Sequence, residues 1–139
     1  MMAIHSGSYN IGFVVHVVIE IPAAMNFMFL PSKQLGEYTP HAHAIVRQYA
    51  LLLLASVLIS LVFAMRPVDA VSGAVAGSLA LYHVGPTLRS LGRLRQRIAE
   101  KKPLLRSEAA LYLVVHMVCG VLLLLHYLGV DIALGRDTT

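Results

Sequence analysis

Residues 9–30 read YNIGFVVHVVIEIPAAMNFMFL, with no basic residue and a single acid, Glu20. About 20 apolar residues rising 1.5 Å each cross the hydrocarbon core of a bilayer, so this run is a candidate membrane span. Three more runs of similar length follow, and spans are expected at about 9–30, 45–65, 69–88 and 108–130. In hydrocarbon every backbone N–H and C=O must be bonded within the protein, which a helix does unaided. The expected fold is therefore all-α, a four-helix transmembrane bundle. It takes up residues 1–139 as a single domain and leaves no room for a separate soluble catalytic domain.

The charge is scarce and unevenly placed. Hydrophobic residues make up 58% of the chain and charged ones 13%, far from the balance of a soluble domain. With alternate crossings, one side of the membrane receives Lys33, Arg47, Arg89, Arg93, Arg95, Arg97, Lys101, Lys102 and Arg106, and the other only Arg66 and Arg136. The positive-inside rule then puts segment 89–106 in the cytoplasm and both termini on the non-cytoplasmic side. Nucleic acid is not an expected partner, because this charge flanks spans, where topology and anionic lipid headgroups call for it. No Lys or Arg precedes Lys33, so the first run lacks the basic stretch of a cleaved signal peptide and is expected to stay. The single cysteine, Cys119, excludes an intrachain disulfide and a Cys-rich metal site.

The connections add local expectations. Met65, Arg66 and Pro67 form so short a link that the second and third spans should be antiparallel neighbours. Segment 89–107 reads as a basic helical continuation on the membrane surface, broken at Pro103, with Ser107 and Glu108 capping the last helix. Pro22, two residues past Glu20, predicts a kink beside the acid. In the third span Ser72, Ala76, Ala80 and His83 share a stripe. Beside it Gly73 and Gly77 make a small-xxx-small pattern that favours close helix packing.

An ionisable group at mid-bilayer costs about 2.5 kcal/mol or more, so such groups are kept where they face a protein interior. His16 and Glu20, four residues apart, share one helix face. Counting the helical rise from the cytoplasmic ends puts Asn26, Arg47, Gln48, Tyr82 and His83 about one to two turns in. Glu20 and His116 fall near the midplane, and His16 one turn deeper. Tyr9 shares the face of His16, and Tyr112 that of His116. Convergence of these groups would give a site in which Glu20 is the principal acid or base and His16 and His116 are its relays or counterparts. Asn26, Arg47, Gln48, Tyr82, His83 and Tyr112 would then bind substrate.

Whether Glu20 acts as acid or base depends on its partner. An isolated carboxyl in an apolar pocket resists ionisation, whereas Arg47 reaching in from the second span would hold it as a carboxylate. Such a pair would equally serve to fix helix register alone. His5, His41, His43 and His126 lie at or outside the span boundaries and read as solvated. His16 and Glu20 resemble half of a zinc site, but no His-Glu-x-x-His pattern supplies the rest, and no metal is expected. Phosphate loops, dinucleotide fingerprints and nucleophile elbows are absent, so no cofactor is expected either. What remains is cofactor-free acid–base chemistry on a lipophilic molecule, a non-catalytic accessory or lipid-binding subunit, or a small transporter or proton pathway.

The stretches HVVIEIPAAMNFMFLPSKQLG, IVRQYALLLLAS and ALYHVGPTLRSLGRLR resemble a group of small four-span membrane proteins of filamentous fungi. Some proteins of that kind are encoded beside secondary-metabolite pathways and act as cyclases, isomerases or epoxide-opening enzymes. A looser similarity to DoxX-like four-helix membrane proteins bears on architecture alone. The resemblance implies an enzyme of the endoplasmic reticulum that tailors a polyketide or terpenoid. Its partners would be a lipophilic substrate and membrane lipid, with homo-oligomerisation or association with other pathway enzymes left open.

Overall fold

A computed structural model of the chain describes residues 10–35, 37–104 and 107–129. Among them are five helices and no strand: α1 (Ile11–Phe29), α2 (Ser32–Leu35), α3 (Pro40–Ala64), α4 (Ala70–Ala99) and α5 (Glu108–Tyr127). His5, Tyr9, Arg106 and Arg136 lie outside the described residues. Among those described, α1, α3 and α5 are long and apolar enough to cross a membrane. Their outward faces carry Val18, Leu52, Leu58, Leu111 and Val114, a surface suited to hydrocarbon. α4 is the longest helix at 30 residues. It falls short of that apolarity because its first half is rich in Gly, Ser and Ala and holds Tyr82 and His83, and its second half holds four arginines.

Local chemistry sets the helix ends. Pro40 opens α3 after an extended Thr39, where its fixed φ and missing N–H cost nothing. At α4 the Ser72 N–H donates to the Asp69 carboxylate over 2.7 Å, and the Asp69 N–H donates to Ser72 Oγ over 2.9 Å. This reciprocal cap, led by the Ser72 N–H, holds the Asp69 carboxyl below the usual carboxylate range. At α5 the Ala110 N–H donates to Ser107 Oγ over 3.2 Å, the cap expected there. α1 runs through Pro22 as one helix. α4 runs through Pro86 and ends at Ala99, short of Pro103, so the basic residues from Arg89 to Arg97 continue the helix that carries His83.

The main packing is α4 on α5 and α1 on α3, with α1 also touching α5. Phe13, Ala76, Leu79, Cys119 and Leu123 form the apolar core where α1, α4 and α5 meet. Backbones approach closely where side chains are missing. A Cβ added to Gly77 would lie 2.8 Å from Tyr127 Cδ2, one on Gly120 would lie 3.2 Å from His83 Cβ, and one on Gly12 would lie 3.2 Å from the Leu122 carbonyl carbon.

α3 and α4, joined by the short link, meet through Tyr49 and Tyr82, whose hydroxyls lie 2.9 Å apart. One expectation needs correction. His43 and His126, read as solvated, are packed. His43 is buried and folds back on its own N-cap, with Nδ1 2.8 Å from Thr39 O. His126 stands edge-on to Phe13 and places Nε2 3.2 Å from Ser72 Oγ.

Candidate functional site

Each long helix brings one stripe to the interior, and the polar groups sit on those stripes. On α1 the stripe is Phe13, His16, Glu20 and Ala24; on α4 it is Ser72, Ala76, Leu79 and His83. His116 lies one turn before Cys119 and Leu123 on the inward face of α5. His16, Glu20 and His83 are at most 1% exposed, and the His116 side chain is 14% exposed. α3 adds Tyr49 and Ser56.

A chain of hydrogen bonds fixes proton positions across the cluster. The Ser56 hydroxyl donates to Leu53 O over 2.7 Å, and a carbonyl can only accept. The Ser56 oxygen therefore keeps a lone pair toward His16 Nε2, 3.1 Å away, and accepts its N–H. Neutral His16 then has a bare Nδ1, to which His83 Nε2–H donates over 3.0 Å. Neutral His83 is left with a bare Nδ1. That lone pair faces His116 Nδ1 at 3.1 Å and Glu20 Oε1 at 3.9 Å, and His116 Nδ1 lies 3.8 Å from the same carboxylate oxygen. The last two distances exceed a hydrogen bond.

Glu20 is held from one side only. Tyr82 OH donates to Glu20 Oε2 over a long 3.4 Å, and Tyr49 backs the phenol. Glu20 Oε1 is fully buried with no hydrogen-bond partner among the described residues. Few buried polar atoms are left so, and each that is needs an explanation.

The fold thus brings together His16, Glu20, Tyr82, His83 and His116, and leaves four other expected residues outside. Arg47 does not reach Glu20. Val46 takes the inward position beside it, and the exposed Arg47 directs Nε to Met28 O over 3.4 Å. Met28 lies in the last turn of α1, where carbonyls lack helical partners and the helix dipole favours a cation. Asn26 and Gln48 are exposed, and Tyr112 is 40% exposed. Asn26, Arg47 and Gln48 each sit one position off an inward stripe, which depth alone does not reveal, whereas Tyr112 shares the face of His116 one turn nearer the start of α5 and is exposed there.

Ser56 and Tyr49 were not anticipated. A serine in a membrane helix ordinarily bonds back to its own preceding turn and reads as neutral. Ser56 does bond back, and its remaining lone pair anchors the imidazole chain. The two residues of the half zinc site seen in the sequence fall into separate donor groups, each completed from other helices. Donor atoms of Glu20, His83 and His116 lie within 4.8 Å of one another, as do those of His16, His83 and Cys119. Chemically the centre offers a carboxylate oxygen without a hydrogen-bond partner among the described residues, two imidazoles beside it and a phenol behind it. No protein-family model matches the chain, and no curated protein or solved structure matches it either.

Proposed function

We propose that this chain is a four-span integral membrane enzyme of acid–base type, which moves a proton to or from a lipophilic substrate at the Glu20 centre. The observation that carries the reading is Glu20 Oε1, buried and unpartnered between two imidazole nitrogens. A carboxyl that served only to hold helices in register would gain from a cation, and the available arginine on α3 goes elsewhere. His83 and His116 are the complementary groups, and His116 is the member on the accessible side of the cluster. The substrate reaches this side from within the bilayer, past the apolar surface that includes Tyr112 and Met117. Epoxide opening, cyclisation and isomerisation are the reaction types that such a centre serves, since each needs a proton delivered at one atom and removed at another.

A fourth crossing by the first half of α4 is supported by its register. Ser72 meets His126 and His83 meets Gly120 and His116, so α4 runs antiparallel along α5 over most of a span. The basic end of α4 would face the cytoplasm. Location in the endoplasmic reticulum and work on a polyketide or terpenoid follow from the resemblance to the fungal four-span proteins.

The test is metabolite profiling of a producing strain that lacks the chain and is complemented with wild type or Glu20→Gln. The Gln variant keeps size and hydrogen-bonding capacity, so it should accumulate in the membrane normally while product formation falls by about 10²-fold or more. His16→Ala and His116→Ala should give partial losses. Normal product formation by a well-expressed Gln variant would replace the enzyme with an accessory subunit whose polar core fixes helix register.

A further inference from the structure

We infer that Glu20 Oε1, His83 Nδ1 and His116 Nδ1 form a three-donor site for a divalent first-row transition-metal ion. The three atoms stand 3.1, 3.9 and 3.8 Å apart. A point equidistant from all three lies about 2.1 Å from each, the length of a zinc–imidazole or zinc–carboxylate bond. The two imidazole nitrogens are within hydrogen-bond distance of each other, but both distances to the carboxylate exceed a hydrogen bond, so pairing accounts for one edge of the triangle and leaves the oxygen unexplained.

Two further observations point to a cation. The first is the oxygen itself, which belongs to a side chain 1% exposed and has no hydrogen-bond partner among the described residues. The second is the direction of the hydrogen-bond chain. Starting from Leu53 O, it places the proton of neutral His83 on Nε2 and leaves a lone pair on Nδ1, the corner of the triangle that faces His116 Nδ1. A histidine that binds a metal does the same, donating its far N–H to a neighbour that fixes tautomer and ring angle. Here that neighbour is His16, itself oriented by Ser56.

The donors choose the class of ion. Imidazole and carboxylate together suit zinc or ferrous iron, whereas magnesium and calcium take oxygen ligands throughout. The other donor group, His16, His83 and Cys119, is the weaker one. It would need His83 Nε2 as a ligand, the nitrogen whose proton is committed to His16, and Cys119 Sγ is 4.0 Å from His16 Nδ1. Three donors leave coordination positions open, and an ion held that way lowers the pKa of bound water or polarises a substrate oxygen. The inference rests on the acid–base reading of this centre and changes which group handles the proton: Glu20 becomes a ligand.

The experiment uses the full chain purified in detergent, stripped with a chelator and titrated with Zn²⁺ and with Co²⁺ as a spectroscopic probe. One equivalent of Zn²⁺ per chain should bind and persist in excess Mg²⁺. Glu20→Gln and His116→Ala should each weaken binding by about tenfold or more, and Cys119→Ser should leave it unchanged. Bound Co²⁺ should show the d–d bands of nitrogen and oxygen ligands and no thiolate charge-transfer band; this measurement needs no variant. His116, at the edge of the cluster, carries the test if Glu20→Gln fails to fold. Absence of binding to wild type, or binding lost in Cys119→Ser and kept in His116→Ala, would overturn the site. An ion-free wild type with Glu20-dependent product formation would sink the ion and spare the acid–base reading. One bound ion with product formation untouched by Glu20→Gln would do the reverse.

Discussion

Glu20 and Arg47 carry opposite charges on helices that pack together, yet they do not meet. The arginine stem is long enough to leave its own face, and it ends at the Met28 carbonyl, where the last turn of α1 lacks donors. Replacing it should therefore cost a helix-end interaction and nothing at the centre. Arg47→Gln is expected to lower stability by about 0.3–1 kcal/mol, read from thermal unfolding in detergent, and to leave product formation as in wild type. A loss of product as deep as that of Glu20→Gln would restore the Arg47–Glu20 pair. The same comparison shows how far single residues were legible. The fold gathers His16, Glu20, His83 and His116 as expected, but counting a fixed rise per residue set His83 far shallower than His16, and the two are hydrogen-bonded at 3.0 Å. Depth also carries no azimuth, and Asn26, Arg47 and Gln48 lie on exposed sides of their helices.

Among the helices, glycine decides which pairs come close. Gly73 and Gly77 could be read from their spacing, and α4 does meet α5 there. Gly120 has no small residue four positions away to announce it, although it and Gly12 each face a neighbour at 3.2 Å. What each glycine faces predicts the cost of filling it. A side chain at Gly12 meets the backbone of Leu122 and Leu123, which moves only if α1 and α5 separate. At Gly77 it meets the ring of Tyr127, which is 54% exposed and free to swing outward. Gly12→Ala should accordingly destabilise by about 1–3 kcal/mol, and Gly77→Ala by less, in thermal unfolding of the purified protein. The opposite order would mean that the α1–α5 approach is looser than the distances indicate. The link of Met65 to Pro67 bears on helix pairing in a different way. A short connection ties helix ends together, but closeness along the axes depends on side-chain bulk, and Tyr49 with Tyr82 fills that gap.

For the whole molecule, the question that the charge pattern and the packing answer together is how many times the chain crosses. α1, α3 and α5 are apolar enough to do so unaided, and α4 is not. α4 nevertheless shares the depth of α5: its capped start lies beside His126 near the end of α5, and His83 lies beside His116 a little past its middle. On the proposed four-span reading, a helix held to a span in that register would cross with it, its polar stripe covered by the partner. Four crossings return both termini to the same side, opposite the arginines of α4, whereas three would leave the termini on opposite sides. The expected result places both termini in the lumen. Glycosylation acceptors appended at residue 1 and at residue 139 should both be modified in microsomes, and an acceptor placed at 101–104 should not. Modification at one terminus only would remove α4 from the membrane, and with it the shared depth on which the convergence of Glu20, His83 and His116 depends.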